Sequence, residues 1–244
     1  MNILQCISTM HGELLPEVRA SNNPKVIINQ GIESQDAIMT NSTSMGLSKS
    51  RNLAIDLLPL KSIGIISDND VILVDDVYKN IIKAYEFFPD ADAITFKVFN
   101  FDGSDFKKSY PDKPRRHNLV SILRVSSIEI TIRKSEINSN VKFDDRFGLG
   151  SDIDIGEENI FLSDLIKKGG KVYYYPLYIG MHCDSKHSGD NFDLVMTKKR
   201  MKVFSRIYGV LGGRLLLMVF LIKNLRRLSG GILNHIKVPF YHHA

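Results

Sequence analysis

The run Ser62 to Val77, SIGIISDNDVILVDDV, constrains this chain more than any other stretch. Ile63-Gly64-Ile65-Ile66 is short, apolar and rich in β-branched residues, which predicts a buried strand. It runs into Asp68-Asn69-Asp70, and a second acidic pair, Asp75-Asp76, heads a segment of helical spacing. A buried strand followed by a helix belongs to an open α/β sheet, whose ligands collect at the carboxyl ends of the strands. Two aspartates at i and i+2 on such a strand end can offer oxygens to one hard cation, Mg²⁺ or Mn²⁺. On its own the D-x-D suits an Asx turn at least as well, with Asp75 capping the next helix.

The flanking segments extend the same pattern. Asn2 to Ser8 and Lys25 to Asn29 read as two further buried strands, the second closing on the turn Asn29-Gln30-Gly31. Polar side chains there (Ser8, Asn29, Gln30) stand where a sheet edge can read a nucleotide, or simply turn the chain. In Asn41 to Leu58, Ser48 or Ser50 can cap a helix that Pro59 stops. Lys49 and Arg51 fall near its amino end, where backbone N–H groups favour anions; the planar guanidinium of Arg51 suits a diphosphate. A solvated basic face explains the same two residues.

Further along, Asp75 to Phe88 has helical spacing, Ala91 to Phe99 reads as a strand, and Asn100 to Asn118 as a mobile polar loop carrying Arg115, Arg116 and His117. Ser127 to Arg133 alternates as a half-buried strand, and Lys171 to Pro176 forms another. Between these lies FDDRFGLGSDIDIGEENIF, Phe143 to Phe161, where glycines free the backbone and Gly156-Glu157-Glu158 opens a helix. Glutamates in a first turn are common for dipole reasons, yet a carboxylate at a loop-to-helix junction is also well placed as a general base. His182 ends an apolar run and reads unaided as a buried, hydrogen-bonded histidine.

Taken in order, LSKSRN (Leu47 to Asn52), ISDNDV (Ile66 to Val71), FGLG with GEENIF (Phe147 to Phe161) and H-x5-SG (His182 to Gly189) resemble the family 2 glycosyltransferases of bacterial surface-polysaccharide synthesis. The resemblance implies a single GT-A-type nucleotide-sugar-binding α/β domain with a mostly parallel central sheet. It also implies inverting, metal-dependent transfer from a nucleoside-diphosphate sugar to an acceptor hydroxyl; the basic tail after Asp193 adds the expectation that the acceptor is a lipid-linked glycan. Position by position, Asp68, Asn69 and Asp70 match the acidic motif that holds a divalent cation and the donor, and Arg51 matches the arginine near the donor. Glu158, or its neighbour Glu157, falls at the catalytic base. His182 matches the histidine near the metal, and Ser188 the closing serine of the donor site. Asn69 and Glu158 depart from the family's usual aspartates. The contrasting expectation is a non-catalytic glycan- or nucleotide-binding scaffold that kept the fold. Nucleotidyl transfer is a third reading, for which the sequence has no glycine-rich phosphate loop near its first strand.

Charge divides the chain at Asp193. No Asp or Glu follows it, whereas ten of the 32 Lys and Arg do; the remaining 22 stand against 27 acidic residues. Residues 1–193 are therefore expected to form a mildly acidic domain, and 194–244 a basic amphipathic helical extension. This pattern favours a localised anionic partner over a nucleic-acid groove. The apolar run Leu215 to Ile222 is too short to span a bilayer. An anionic membrane surface is the expected partner of the extension, with packing on the domain or on a second copy of the chain as the alternative. Two distant cysteines, Cys6 and Cys183, predict reduced thiols. The amino terminus lacks the features of a signal peptide, so the expected location is cytoplasmic, on the inner face of the membrane.

Overall fold

The computed structural model describes residues 1–135, 140–183, 191–229 and 231–240. The strands are β1 (Ile3–Met10), β2 (Lys25–Gln30), β3 (Met39–Ser42), β4 (Ile63–Asp68), β5 (Val71–Leu73), β6 (Ala93–Asn100), β7 (Arg115–Arg116), β8 (Ile130–Arg133) and β9 (Val172–His182). They form one sheet in the order β3-β2-β1-β4-β8-β6-β9-β5, with β7 also pairing β9. β3, β2, β1 and β4 are parallel, and β6 and β9 run the same way; β8, β5 and β7 oppose them. The expected mostly parallel α/β sheet is thus what the chain forms.

Alternation along the strands sorts the core into two layers. Ile63 and Ile65 of β4 and Ile94, Phe96 and Val98 of β6 face α3 (Val77–Phe87) through Val77, Ile81, Ala84 and Tyr85. On the opposite face Ile66 and Ala93 pack with Ala54 and Ile55 of α2 (Leu47–Leu57) and with Phe161, Leu162 and Leu165 of α4 (Glu157–Lys167). The short α1 (Pro16–Ala20) places Val18 against Ile7 and Ile27.

Several boundaries differ from expectation, each for a local reason. β9 continues past Pro176 to His182; the register with β6 slips between Tyr174 and Tyr178, and the irregularity accommodates a proline that a regular ladder would exclude. Ser127–Glu129 is a 3₁₀ turn held by a Ser126–Glu129 capping box, so β8 begins only at Ile130. The stretch expected to be a mobile loop, Asn100 to Asn118, is pinned. Lys107 and Tyr110 both reach the buried Glu129, Tyr110 at 2.7 Å, and His117 bonds Thr95 at 2.8 Å and Ser121 at 2.9 Å. Burial first, then Arg115 and Lys107, depress the His117 pKa to about 4. Its ring is a neutral cross-link there.

The extension folds as α5 (Leu194–Lys223) and α6 (Ile232–Lys237). α5 is not one straight rod. Gly209 has non-helical angles (φ 74°, ψ 170°), and the helix folds back there. A Cβ on Gly213 would lie 2.6 Å from the backbone nitrogen of Ser205, and the rings of Phe204 and Phe220 are 6.2 Å apart. In a continuous helix, rising about 1.5 Å per residue, Phe204 and Phe220 would be about 24 Å apart. α5 is a helical hairpin. Its first limb packs Met201, Val203, Phe204 and Ile207 on Ile153 and Ile160. Arg206 bonds Asp144 and Asp164, and Lys199 bonds Asp154, so part of the basic charge is spent on the acidic body. α6 is tied to the same limb by the buried His235, whose Nδ1 is 2.8 Å from Thr197 Oγ1.

Candidate functional site

The site forms where the carboxyl ends of β1, β4 and β9 meet the amino ends of α2 and α4. Arg51 is its centre. The side chain leaves the second turn of α2 and is 1% exposed, a burial that a guanidinium tolerates only when paired. Nη1 donates to Glu157 Oε1 at 2.7 Å, and Nη2 donates to Asp68 Oδ1 and Ser127 Oγ, both at 2.9 Å. The guanidinium Cζ also lies 5.7 Å from the Phe143 ring centroid. Burial works against its charge, but the carboxylates of Asp68, Glu157 and Glu158 more than offset this and raise its pKa. One cation therefore ties the end of β4 to the start of α4. It lies beneath the site with its Nη atoms engaged, rather than standing open towards a diphosphate as the sequence led one to expect.

Glycines make this approach feasible. A Cβ on Gly148 (φ 94°) would lie 3.1 Å from Ser48 Oγ and 3.2 Å from the Glu157 side chain, and Ser48 donates to the Phe147 carbonyl at 2.6 Å. The FGLG turn is thus clamped between α2 and the acid pair. Gly156, left-handed at φ 80°, starts α4 with Glu157 and Glu158 in its first turn.

The two glutamates have different surroundings. Glu157 is buried on Arg51. Glu158 is half-buried, and its pKa is pushed up to about 8, first by burial and then by the Glu157 charge; a backbone hydrogen bond and the more distant Arg51 pull weakly the other way. Of the pair, Glu158 is the carboxyl that holds its proton into the range of enzymatic acid–base work.

The metal candidates are brought together by register. Val71 of β5 pairs with His182 of β9, so the preceding residue, Asp70, meets the histidine, with Oδ2 3.3 Å from Nε2. The ring edge of Phe106 packs at 5.4 Å and orients the imidazole. Asp68 does not join this pair, being engaged by Arg51. Among the described residues no group of three or more His, Cys, Asp or Glu converges as a metal cage. The Asp70 carboxylate suits a hard divalent ion that takes its other ligands from water and substrate phosphates, and the imidazole nitrogen beside it fits Mn²⁺ better than Mg²⁺.

The expected donor-side residues divide. Ser8 lies opposite Asp68 in the sheet and accepts from Ser50 Oγ at 2.8 Å. Asn69 donates to the Glu13 carbonyl at 3.1 Å. Asn29 and Gln30 are buried and turned inward. Asn29 accepts from the Gly12 amide at 2.7 Å and donates to Ile32 and Asn41, while Gln30 bonds the carbonyls of Ser44 and Gly46. Their amides are engaged by loop backbone that would otherwise be buried unpaired, and so shape this rim of the sheet edge. Ser188 lies outside the described residues. Ser127, unmarked in the sequence, enters the site as a third ligand of Arg51. Only its place at the start of the alternating stretch Ser127 to Arg133 pointed towards the sheet edge. Cys6 and Cys183 are free thiols, as expected.

The sheet order, the acidic strand end and the acid pair at a helix start define a GT-A-type fold. S. aureus TarS superposes with a TM-score of 0.59 at 12% identity over 98% of this chain, which spans 42% of the length of TarS. The 1–349 fragment of S. aureus TarS gives 0.59 at 10% identity, covering 98% of this chain and 90% of the fragment. The likeness is one of fold. No protein-family model matches the chain, and no curated protein matches it in sequence.

Proposed function

We propose that this chain is a glycosyltransferase that moves a sugar from a nucleoside-diphosphate donor to the hydroxyl of a glycan acceptor, with inversion at the anomeric carbon. The GT-A-type fold, shared with the glycosyltransferase TarS, supports the class. The carrying observation is the division of labour in the acid pair, with Glu157 ion-paired to Arg51 and Glu158 holding its proton up to a pH of about 8. In the reaction the Glu158 carboxylate takes the acceptor's hydroxyl proton as that oxygen bonds to the anomeric carbon. The bond to the diphosphate breaks, and its electron pair leaves with the nucleoside diphosphate. General base assistance of this kind contributes about 10²- to 10⁴-fold. Arg51 is a positioning residue, fixing Asp68 and the start of α4 relative to one another.

Asp70 and His182 are the residues that would hold a divalent cation, Mn²⁺ or Mg²⁺, which when bound supplies Lewis-acid stabilisation of the departing diphosphate. Asp68, Asn69, Ser8 and Ser188 are assigned to the donor side. A lipid-linked glycan is the proposed acceptor.

The test is a thermal-shift screen of the purified chain against UDP, GDP, CDP and TDP, with and without Mn²⁺, followed by donor turnover. A ligand at 100 times its dissociation constant stabilises by about 2.7 kcal/mol. A Mn²⁺-dependent shift with one nucleotide, together with hydrolysis of its sugar conjugate, is expected. Binding without any turnover, with or without acceptor glycans, would assign the chain to the scaffold class instead.

A further inference from the structure

The second limb of the α5 hairpin has two apolar faces. Gly213, Leu217 and Leu221 are buried against the first limb and the domain. On the opposite side Leu211, Leu215, Val219 and Ile222 lie between 48% and 73% exposed, and Leu233 on α6 is 74% exposed. Spacings of four, four and three residues align the first four as one stripe about three turns long. Monomeric soluble proteins rarely leave such a stripe uncovered. Lys223 and Arg226 are exposed at its end, and Arg214 is half-exposed beside it.

Charge selects the occupant. No acidic residue follows Asp193, so the stripe has only cations from its own segment around it. A second copy laid on the stripe, parallel or antiparallel, would set Lys223 and Arg226 against a facing segment that supplies no carboxylate to either. The geometry points to an anionic lipid bilayer, with the stripe in the interfacial region and Lys223, Arg226 and Arg214 at the headgroups. The limb lies on the membrane and does not cross it. Although the 30 residues of α5 have an apolar window of mean hydropathy 1.6, the reversal at Gly209 leaves each limb about half that length, short of the roughly 20 residues a span requires. The first limb is held to the domain by Arg206 and Lys199, and its Val203 lies where a Cβ on Gly156 would come within 2.8 Å. Docking the hairpin therefore carries the acid pair of α4 to the membrane surface with it. This inference stands apart from the transfer chemistry.

The experiment is flotation of the full chain with vesicles of phosphatidylcholine, with and without an equal part of phosphatidylglycerol, alongside sedimentation velocity in the absence of lipid. The chain is expected to float with the anionic vesicles and not the neutral ones, and to lose binding in 0.5 M NaCl, a probe concentration at which screening is short-ranged. Leu215→Gln/Ile222→Gln should reduce partitioning at least tenfold with an unchanged melting temperature, since both side chains face outward. Lys223→Gln and Arg226→Gln should each reduce it about fivefold. Failure to float with anionic vesicles at low salt would overturn the assignment. So would a dimer that Leu215→Gln/Ile222→Gln dissociates, because the stripe would then be a contact between copies.

Discussion

Replacing Glu158 with Gln should make the protein more stable and nearly inactive, with the stability gain growing as pH rises. The ordinary pKa of this carboxyl is 4.5, and the fold raises it to about 8. Below pH 4.5 the folded and unfolded chains both carry the proton, and the substitution changes little. Between 4.5 and 8 the folded chain holds the proton and the unfolded chain has released it. Wild-type stability therefore falls as pH rises through this window. The full difference, at 1.36 kcal/mol per pH unit, is about 5 kcal/mol. Glu158 is only half-buried, and water relaxing around it leaves about 1–2 kcal/mol of that. For a chain of this size, about 2–4 °C per kcal/mol converts this to a gain of about 2–8 °C at pH 9 and none at pH 4. Donor turnover should drop by about 10²- to 10⁴-fold. Melting temperatures of both proteins from pH 4 to 9, and released nucleoside diphosphate at each pH, measure the two effects. A stability difference independent of pH would refute the raised pKa. The same pattern in Glu157→Gln would exchange the roles of the pair.

Wild-type kcat/KM should rise with pH and level off above about 8, as the Glu158 proton is released; a profile flat from pH 6 to 9 would remove it as the base. Arg51→Met strands two carboxylates and should cost about 3–5 kcal/mol, of which Arg51→Met/Glu157→Gln should recover a measurable part in a double-mutant cycle by chemical denaturation. Asp70→Asn and His182→Gln should each abolish the Mn²⁺-dependent part of nucleotide binding in thermal shift while leaving the melting temperature of the unliganded protein within about 1 °C; an undiminished Mn²⁺ effect would place the ion elsewhere. Gly213→Ala would press a methyl group on the Ser205 backbone and should cost about 1–3 kcal/mol, read as a lower denaturant midpoint.

How much of this was legible in the sequence depended on the range of the interaction. β1, β2, β4 and β6 announced themselves because each is a buried run whose own residues supply the signal. β3 and β5 did not. Met39–Ser42 and Val71–Leu73 are short edge strands that exist only because β2 and β9 lie beside them. The acid at the end of β4, the pair at the start of α4 and His182 were each visible. Their pairing was not, because Asp68 meets Glu157 only through Arg51, and Asp70 meets His182 only through the β5–β9 register. The charge asymmetry of the extension was plain. Its fold depends on Gly209, where the chain reverses, and on Gly213, where the two limbs cross, and neither carries a periodic signal of its own.

The network around Arg51 also accounts for why one residue of the site bears its electrostatic strain. A buried guanidinium is costly alone, and three carboxylates surround this one. Asp68 and Glu157 take the Nη atoms directly, each within 3 Å of the cation. Glu158 is third in that line. It feels the Arg51 charge at a distance and the Glu157 charge at close range, and the latter effect is the larger of the two. Adding a second arginine would relieve it, but would return Glu158 to an ordinary weakly basic carboxylate. Leaving it unrelieved costs stability above pH 4.5 and, on the proposed function, gives Glu158 a proton affinity approaching that needed of a base near neutral pH. On the proposed function, a buried Arg51 is thus compatible with a catalytic role it does not itself take: one cation shared between Asp68 and Glu157 leaves Glu158 as the carboxyl of raised pKa.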